Sequence, residues 1–466
     1  MPYKDLLAVS HVCRHWRDIA VSATELWAHI ILGHSASAKW EASIAQLCAH
    51  RSGGRPLDCF INPMSMLASL RVEELIPDRH RLRSVVYWYM GEAAGEELAS
   101  FLLPALHVER LDIRGNGVSL LPILFSGHAP CLREVIFSGC TPWPNNQFGS
   151  LTSLILLRQE DPDVNIYYLL EIMRCSPHLE EFLLERDFHP TVEPQQPPER
   201  EIPLIPLIPL HSLKRLQIYR LSARATRRLL GALDLLPNGI SMRFSTISLE
   251  FGATFPETIA PELSPRAATK LEVIYPSIGG AILHATNGVA HTRWVHRFYP
   301  KHYQFFQWIV EKPHEAYPLK ELWLHIERDD SYELPPPHAF RDLETLVIKT
   351  NPYEQFDSVA FLMLSPDEDG VPFPLLSTLE LQNVFGVAKF EEVLKARSDA
   401  GFRLRTLRVG WFDGCEERMA PLAQFVDELE FYHVDGKTSR GLELPKECAA
   451  KGRWWEPWSL GFVLYD

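Results

Sequence analysis

The chain has 466 residues, too many for one ordinary domain of roughly 150 residues unless a repeat is involved, and its 46% hydrophobic and 23% charged content excludes a disordered or collagen-like polymer. Lys plus Arg total 46 against 59 for Asp plus Glu, and the formal net charge of −13 argues against nonspecific binding to nucleic acid or to an anionic membrane. Cys13, Cys48, Cys59, Cys131, Cys140, Cys175, Cys415 and Cys448 are scattered without a CxxC pair, unlike a disulfide framework or a zinc site. With no signal-like apolar run and no long apolar span, a cytoplasmic or nuclear protein is expected.

Near the start, Val9, Val12, Cys13, Trp16, Ile19 and Ala20 keep the spacing of one helix face, with Ser10, His11, Arg14, Arg17 and Asp18 opposite. Ser22 followed by Glu25 has capping-box form, and Leu26, Trp27, Ile30 and Ile31 supply apolar contacts after it. This predicts two helices joined by a tight turn. His11 and His15 stand at a chelating spacing beside Cys13, but no further ligands follow, and no metal is expected.

The run from Leu6 to Ala20, followed by Glu25-Leu26-Trp27, resembles the second half of an F-box, in the style of fungal F-box-like proteins. The resemblance implies docking on the Skp-type adaptor of a cullin-RING ubiquitin ligase through Leu6, Leu7, Val9, Val12, Cys13, Trp16, Arg17 and Trp27. The remainder of the chain would select a substrate. The family's leading helix, with its Leu-Pro and Ile-Phe positions, should precede Leu6; a misplaced start, a missing exon and lost docking all remain open. Read without the resemblance, the same residues make an amphipathic cap on a repeat array.

A unit with apolar residues at positions one, four and six then recurs. Clear copies begin at Leu151, Leu213, Leu319, Leu343, Leu376 and Leu404, and looser ones at Leu82, Val108, Leu132, Leu179, Phe244, Ala268 and Val426. Three such positions coincide by chance at roughly 0.46 cubed, about one site in ten, so the strict leucine copies carry the argument. Successive starts at 82, 108, 132 and 151, and at 319, 343, 376, 404 and 426, lie 19 to 33 residues apart. Leucine-rich repeats run about 20 to 29. Positions four and six would face the core from a short strand, and stacked copies would form a parallel sheet. The expected fold is α/β: a short helical F-box remnant at 1–33, a connecting segment and cap at 34–80, an irregular leucine-rich-repeat solenoid at 81–435, and a Trp-rich cap at 436–466. At position nine, where the repeat wants Asn or Cys, only Asn116, Cys140 and Asn351 comply.

The cadence breaks at 190–210, where repeated prolines predict an external loop. It breaks again at 276–318, which holds no convincing unit but concentrates His291, Trp294, His296, Phe298, Tyr299, His302, Tyr303, Phe305, Phe306 and Trp308. That segment reads either as a recognition surface or as the filling of a distorted repeat.

No phosphate loop, GxSxG, HExxH or paired-cysteine motif is present, so neither an enzyme nor a cofactor is expected. The residues alternating with the buried leucines should line an exposed binding face: Arg110, Asp112 and Arg114; Arg215, Gln217 and Tyr219; Glu321, Trp323 and His325; Thr378, Glu380 and Gln382. Trp323 is the expected anchor. The functional reading is a substrate receptor of a ubiquitin ligase, with a repeat scaffold that has lost ligase docking as the alternative.

Overall fold

The computed structural model describes residues 3–33, 38–62, 78–89, 102–103, 105–115, 121–140, 146, 148–159, 162–186, 206–221, 223–236, 240–246, 267–275, 281–288, 290–296, 318–326, 338–350, 363–382, 387–411 and 416–433. Helices α1 (Tyr3–Val12) and α2 (Arg14–Ser22) lead into β1 (His29–Leu32), α3 (Ala38–Arg51), β2 (Leu57–Ile61), β3 (Leu82–Tyr89), β4 (Arg110–Gly115), β5 (Glu134–Ser138), β6 (Ser153–Gln159), α4 (Pro162–Cys175) and β7 (Glu181–Arg186). The chain continues through β8 (Ile208–Pro209), β9 (Arg215–Leu221), α5 (Ala223–Gly231), β10 (Leu233–Asp234), β11 (Ser241–Thr246), β12 (Lys270–Tyr275), β13 (Ala281–Thr286) and β14 (His291–His296). It ends with β15 (Glu321–Ile326), β16 (Thr345–Thr350), β17 (Thr378–Gln382), α6 (Val387–Asp399), β18 (Leu404–Trp411), α7 (Glu416–Met419) and β19 (Val426–His433). The fold is mixed α/β with mostly parallel strands. It divides into two units, Met1–Arg215 with Ala232–Leu236 and Leu216–Gly231 with Pro237–Asp466.

In the first unit β1 to β7 pair in sequence order, all parallel. Register aligns the alternate apolar residues into two rows. One runs Ile30, Cys59, Val85, Leu111, Val135, Leu154, Phe182; the other runs Leu32, Ile61, Tyr87, Ile113, Phe137, Leu156, Leu184. Every member of both rows is buried. Because side chains alternate across a strand, a one-residue shift of register would turn a strand's apolar set to the other face, so the rows fix the pairing. Two polar side chains at position nine reach back to the preceding strand: the Cys140 thiol donates to Ile113 O at 3.7 Å, and Gln159 Nε2 donates to Phe137 O at 3.3 Å.

In the second unit β12 pairs with β15, and β15 to β19 follow in order, all parallel. Leu271, Leu322, Leu346, Leu379, Leu407 and Leu429 form one row, and Val273, Leu324, Ile348, Leu381, Val409 and Phe431 the next. β13 runs antiparallel between β12 and β14, while β14 pairs in parallel with β11.

Several expectations change. The segment 276–318 contributes β13 and β14, so His291 lies buried on a strand and its Nδ1 meets Thr286 Oγ1 at 2.7 Å; residues 297–317 lie outside the described set. Of the unit expected from Phe244 through Ile247 to Leu249, Ile247 and Leu249 lie outside the described residues. β11 (Ser241–Thr246) buries Met242 and Phe244, and Ile240 is buried just before it. Of the proline-rich stretch 190–210, residues 190–205 lie outside the described set. Its end is not an external loop, because Ile208 and Leu210 are buried and β8 pairs with β10. The C-terminal segment with Trp454, Trp455 and Trp458 also lies outside the described residues.

Candidate functional site

The stretch from Val9 to Ala20, expected as one continuous helix face, breaks at Cys13 between α1 and α2. Cys13 is extended, with φ −159 and ψ 173, and its Sγ accepts from the Trp16 amide at 3.5 Å as the N-cap of α2. Arg17 Nε donates to Ser10 O at 3.0 Å, satisfying a carbonyl that the end of α1 would otherwise leave open. Cys13 is therefore an exposed cap, and its expected place on the apolar face is corrected. The Ser22 hydroxyl turns back to Ile19 O at 3.0 Å, so it does not cap the following element, a 3-10 turn at Thr24–Trp27.

The two tryptophans of this hairpin are sorted oppositely. Trp27 is 1% exposed, donates from Nε1 to Ala20 O at 2.6 Å, and lies under the Arg51 guanidinium 4.4 Å from its ring centre. Its amphipathic ring has found both an apolar bed and a hydrogen-bond acceptor inside the protein. Trp16 is 49% exposed, in company with Val9, Val12, Ile19 and Leu26. Of the residues expected to meet an adaptor, Val9, Val12, Cys13, Trp16 and Arg17 are exposed and Leu7 is half-buried. Leu6 and Trp27 belong to the core, which corrects their placement on a docking surface. Fully burying a large apolar side chain is worth about 1.5 to 3 kcal/mol, and these, about half exposed, keep part of that gain for a partner that covers several together.

Compared with known families, these residues match the one described as F-box-like over 1–33. Residues 1–33 are an F-box-like domain. F-box domains generally bind Skp-type adaptors. No curated protein matches the chain. The F-box-like domain ends on β1, whose Ile30 and Leu32 begin the two core rows of the first unit.

The second face of the strands is more enclosed than alternation implies. Asp112, Gln217, Trp323, His325, Glu380 and Gln382 are buried, and only Arg110, Arg114, Arg215, Tyr219, Glu321 and Thr378 are half-exposed. The cause is lateral: strands pack about 4.8 Å apart, so long side chains in register cover one another. Arg114 clasps Asp112 through two bonds, at 2.9 and 3.0 Å. Trp323, the expected anchor, is 8% exposed, packs on Val347 and donates from Nε1 to Glu321 at 2.7 Å. Glu380 accepts from Gln382 at 2.8 Å and from Tyr432 at 2.6 Å.

His325 belongs to a buried polar group centred on Glu272, which meets His284 Nδ1 at 2.6 Å and His325 Nε2 at 3.0 Å. Burial pushes the Glu272 carboxyl up, yet the hydrogen bonds from both imidazoles overcome it and hold the group below the ordinary carboxylate range. For His284, burial prevails over Glu272 and lowers the pKa. These contacts make the group a structural one within the second unit.

The pattern of buried leucines offered no way to rank the exposed residues. It passed over Trp88 on β3, which is 38% exposed, stands edge-on to Phe60 at 5.3 Å and faces the Arg114 guanidinium at 5.4 Å. The available signal was its place one residue beyond Tyr87 of a recognised unit. Burial raises the Cys48 thiol to about 12, against the pull of Arg51, which leaves it unreactive. Among the described residues His338, Asp367 and Asp369 bring ligand atoms within 4.8 Å of one another. The His338–Asp367 contact at 2.9 Å has a counterpart in His211–Asp234, also at 2.9 Å, and both read as surface hydrogen bonds.

Proposed function

We propose that the chain is a non-catalytic substrate-recognition receptor of an SCF-type ubiquitin ligase, working in the cytoplasm or nucleus. The F-box-like domain would dock a Skp-type adaptor, and the strand array, read as a degenerate leucine-rich-repeat solenoid, would hold the substrate. The observation that carries this reading is the outward face of Val9, Val12, Trp16, Ile19 and Leu26 on an F-box-like hairpin. The in-register leucine rows and the position-nine bonds from Cys140 and Gln159 support the repeat reading. On the first unit, Trp88, Arg114 and Arg110 are the better substrate contacts, because they keep exposure that Asp112 lacks.

Affinity capture with purified Skp-type adaptor tests this. Trp16→Ala and Ile19→Asp should each reduce capture at least tenfold while the melting temperature stays put. A family-typical first helix joined ahead of α1 should strengthen capture. If neither the parent nor the extended chain captures adaptor, the reading reverts to an interaction scaffold without ligase docking.

A further inference from the structure

Arg81, in the 3-10 turn Arg79–Arg81 that opens β3, uses all five of its N–H donors. Nε donates to Arg55 O at 3.0 Å; Nη1 donates to Ala49 O and Asp78 Oδ2, each at 3.0 Å; Nη2 donates to Ser52 Oγ at 2.7 Å and again to Arg55 O at 2.6 Å. Ala49 is in the last turn of α3, where a cation also meets the negative end of the helix dipole. The contacts continue toward the hairpin. Arg55 donates from Nε to Thr24 Oγ1 at 2.5 Å and approaches Glu25 at 3.4 Å, while Arg51 covers Trp27, which holds Ala20 of α2. Side-chain bonds to backbone and side-chain groups, together with the Arg51–Trp27 cation–π contact and the short stretches of chain between them, thus link the start of β3 through the end of α3 and the 3-10 turn to α2, on which Trp16 and Ile19 are exposed.

We propose that Arg81 is a positioning residue that fixes the angle between the F-box-like hairpin and the sheet of the first unit, with Arg55 as its outer arm. A planar guanidinium with five committed donors defines an orientation, which a lysine ammonium on a flexible stem does not. Its bearing on ubiquitin transfer rests on the receptor reading above; the clamp itself does not.

The test is double electron–electron resonance on the full chain, with nitroxides on introduced His15→Cys and His128→Cys, both exposed positions, and with Cys13, Cys131, Cys175, Cys415 and Cys448 changed to serine, which at position 13 can still cap α2. The parent should give one narrow distance distribution. Arg81→Ala and Arg81→Lys should both broaden it at least twofold, the lysine failing because charge without the fork does not hold the angle. Arg55→Ala, at a half-open position, should broaden it less and serves if the Arg81 variants do not fold. Adaptor capture should be unchanged in all three. A lower melting temperature with the parent's distribution width in every folded variant would overturn the proposal and leave Arg81 a stabilising residue only. Failure of the parent to capture adaptor would sink the receptor reading and leave the clamp to be judged on the widths.

Discussion

The F-box-like hairpin and the second face of the strand array invert the usual sorting of side chains. On the hairpin, Val9, Val12, Trp16, Ile19 and Leu26 stand in water; on the strands, Asp112, Glu272, Glu380 and Gln382 are buried. The difference lies in what each region has beside it. A two-helix hairpin has one inner side, and once Leu6, Ala20 and Trp27 fill it the remaining apolar residues have no neighbour among the described residues to cover them. A strand has neighbours on both edges at a fixed spacing, and polar side chains there shield and bond one another. Polarity therefore forecasts exposure poorly wherever lateral partners are in register, and an exposed apolar face is the more informative of the two findings.

The largest expected effect separates the two tryptophans. Trp27→Ala should cost about 3 to 5 kcal/mol, because it empties a buried site and strips the Ala20 carbonyl of its donor. Chemical denaturation would read the loss, and a change below about 1 kcal/mol would place Trp27 outside the core. Next, Asp112→Ala and Glu380→Ala should each cost about 1 to 3 kcal/mol, the range for breaking buried hydrogen bonds, and a neutral result would show that face to be open.

The buried group of Glu272, His284 and His325 gives a pH dependence of definite sign. The His284 pKa is lowered on folding, so the unfolded chain binds the extra proton, and stability should fall as pH drops through about 6.5. Glu272, also lowered, should deepen the loss below its ordinary range near 4.3. Melting scans should therefore show a lower transition at mildly acidic pH than at neutral pH, with the first step absent in His284→Gln; a flat profile would mean that the group opens to water. The smallest effect is expected at Trp16→Ala, within about 0.5 kcal/mol of the parent, as for an exposed side chain. A larger loss would move Trp16 to the inner side.

What could be read from the sequence follows the same division. The strands carrying Leu154 and Leu156, Leu322 and Leu324, or Leu379 and Leu381 were legible because two alternate apolar residues state both the strand and its buried face. β13 and β14 were not, since Leu283 and Ala285 pair across a local hairpin with no recurring unit. The F-box-like residues were recognisable as a motif. The break at Cys13, however, depends on one thiol accepting from Trp16, and the enclosure of Trp323 depends on Glu321 and on Val347 of the next strand. Such partners lie across turns and strands, where local spacing carries no information.

The F-box-like match closes on residues that are already part of the sheet, which matters for anyone who would divide this chain. β1 covers the edge of β2, pairing from His29 against Asp58 to Leu32 against Ile61. A fragment starting at residue 34 would leave Leu57, Cys59 and Ile61 on a bare strand with open amides and carbonyls, a template for intermolecular pairing. The natural seam for a graft or truncation is therefore upstream of His29, and a hybrid joined at the motif boundary should aggregate while one joined before β1 stays dispersed.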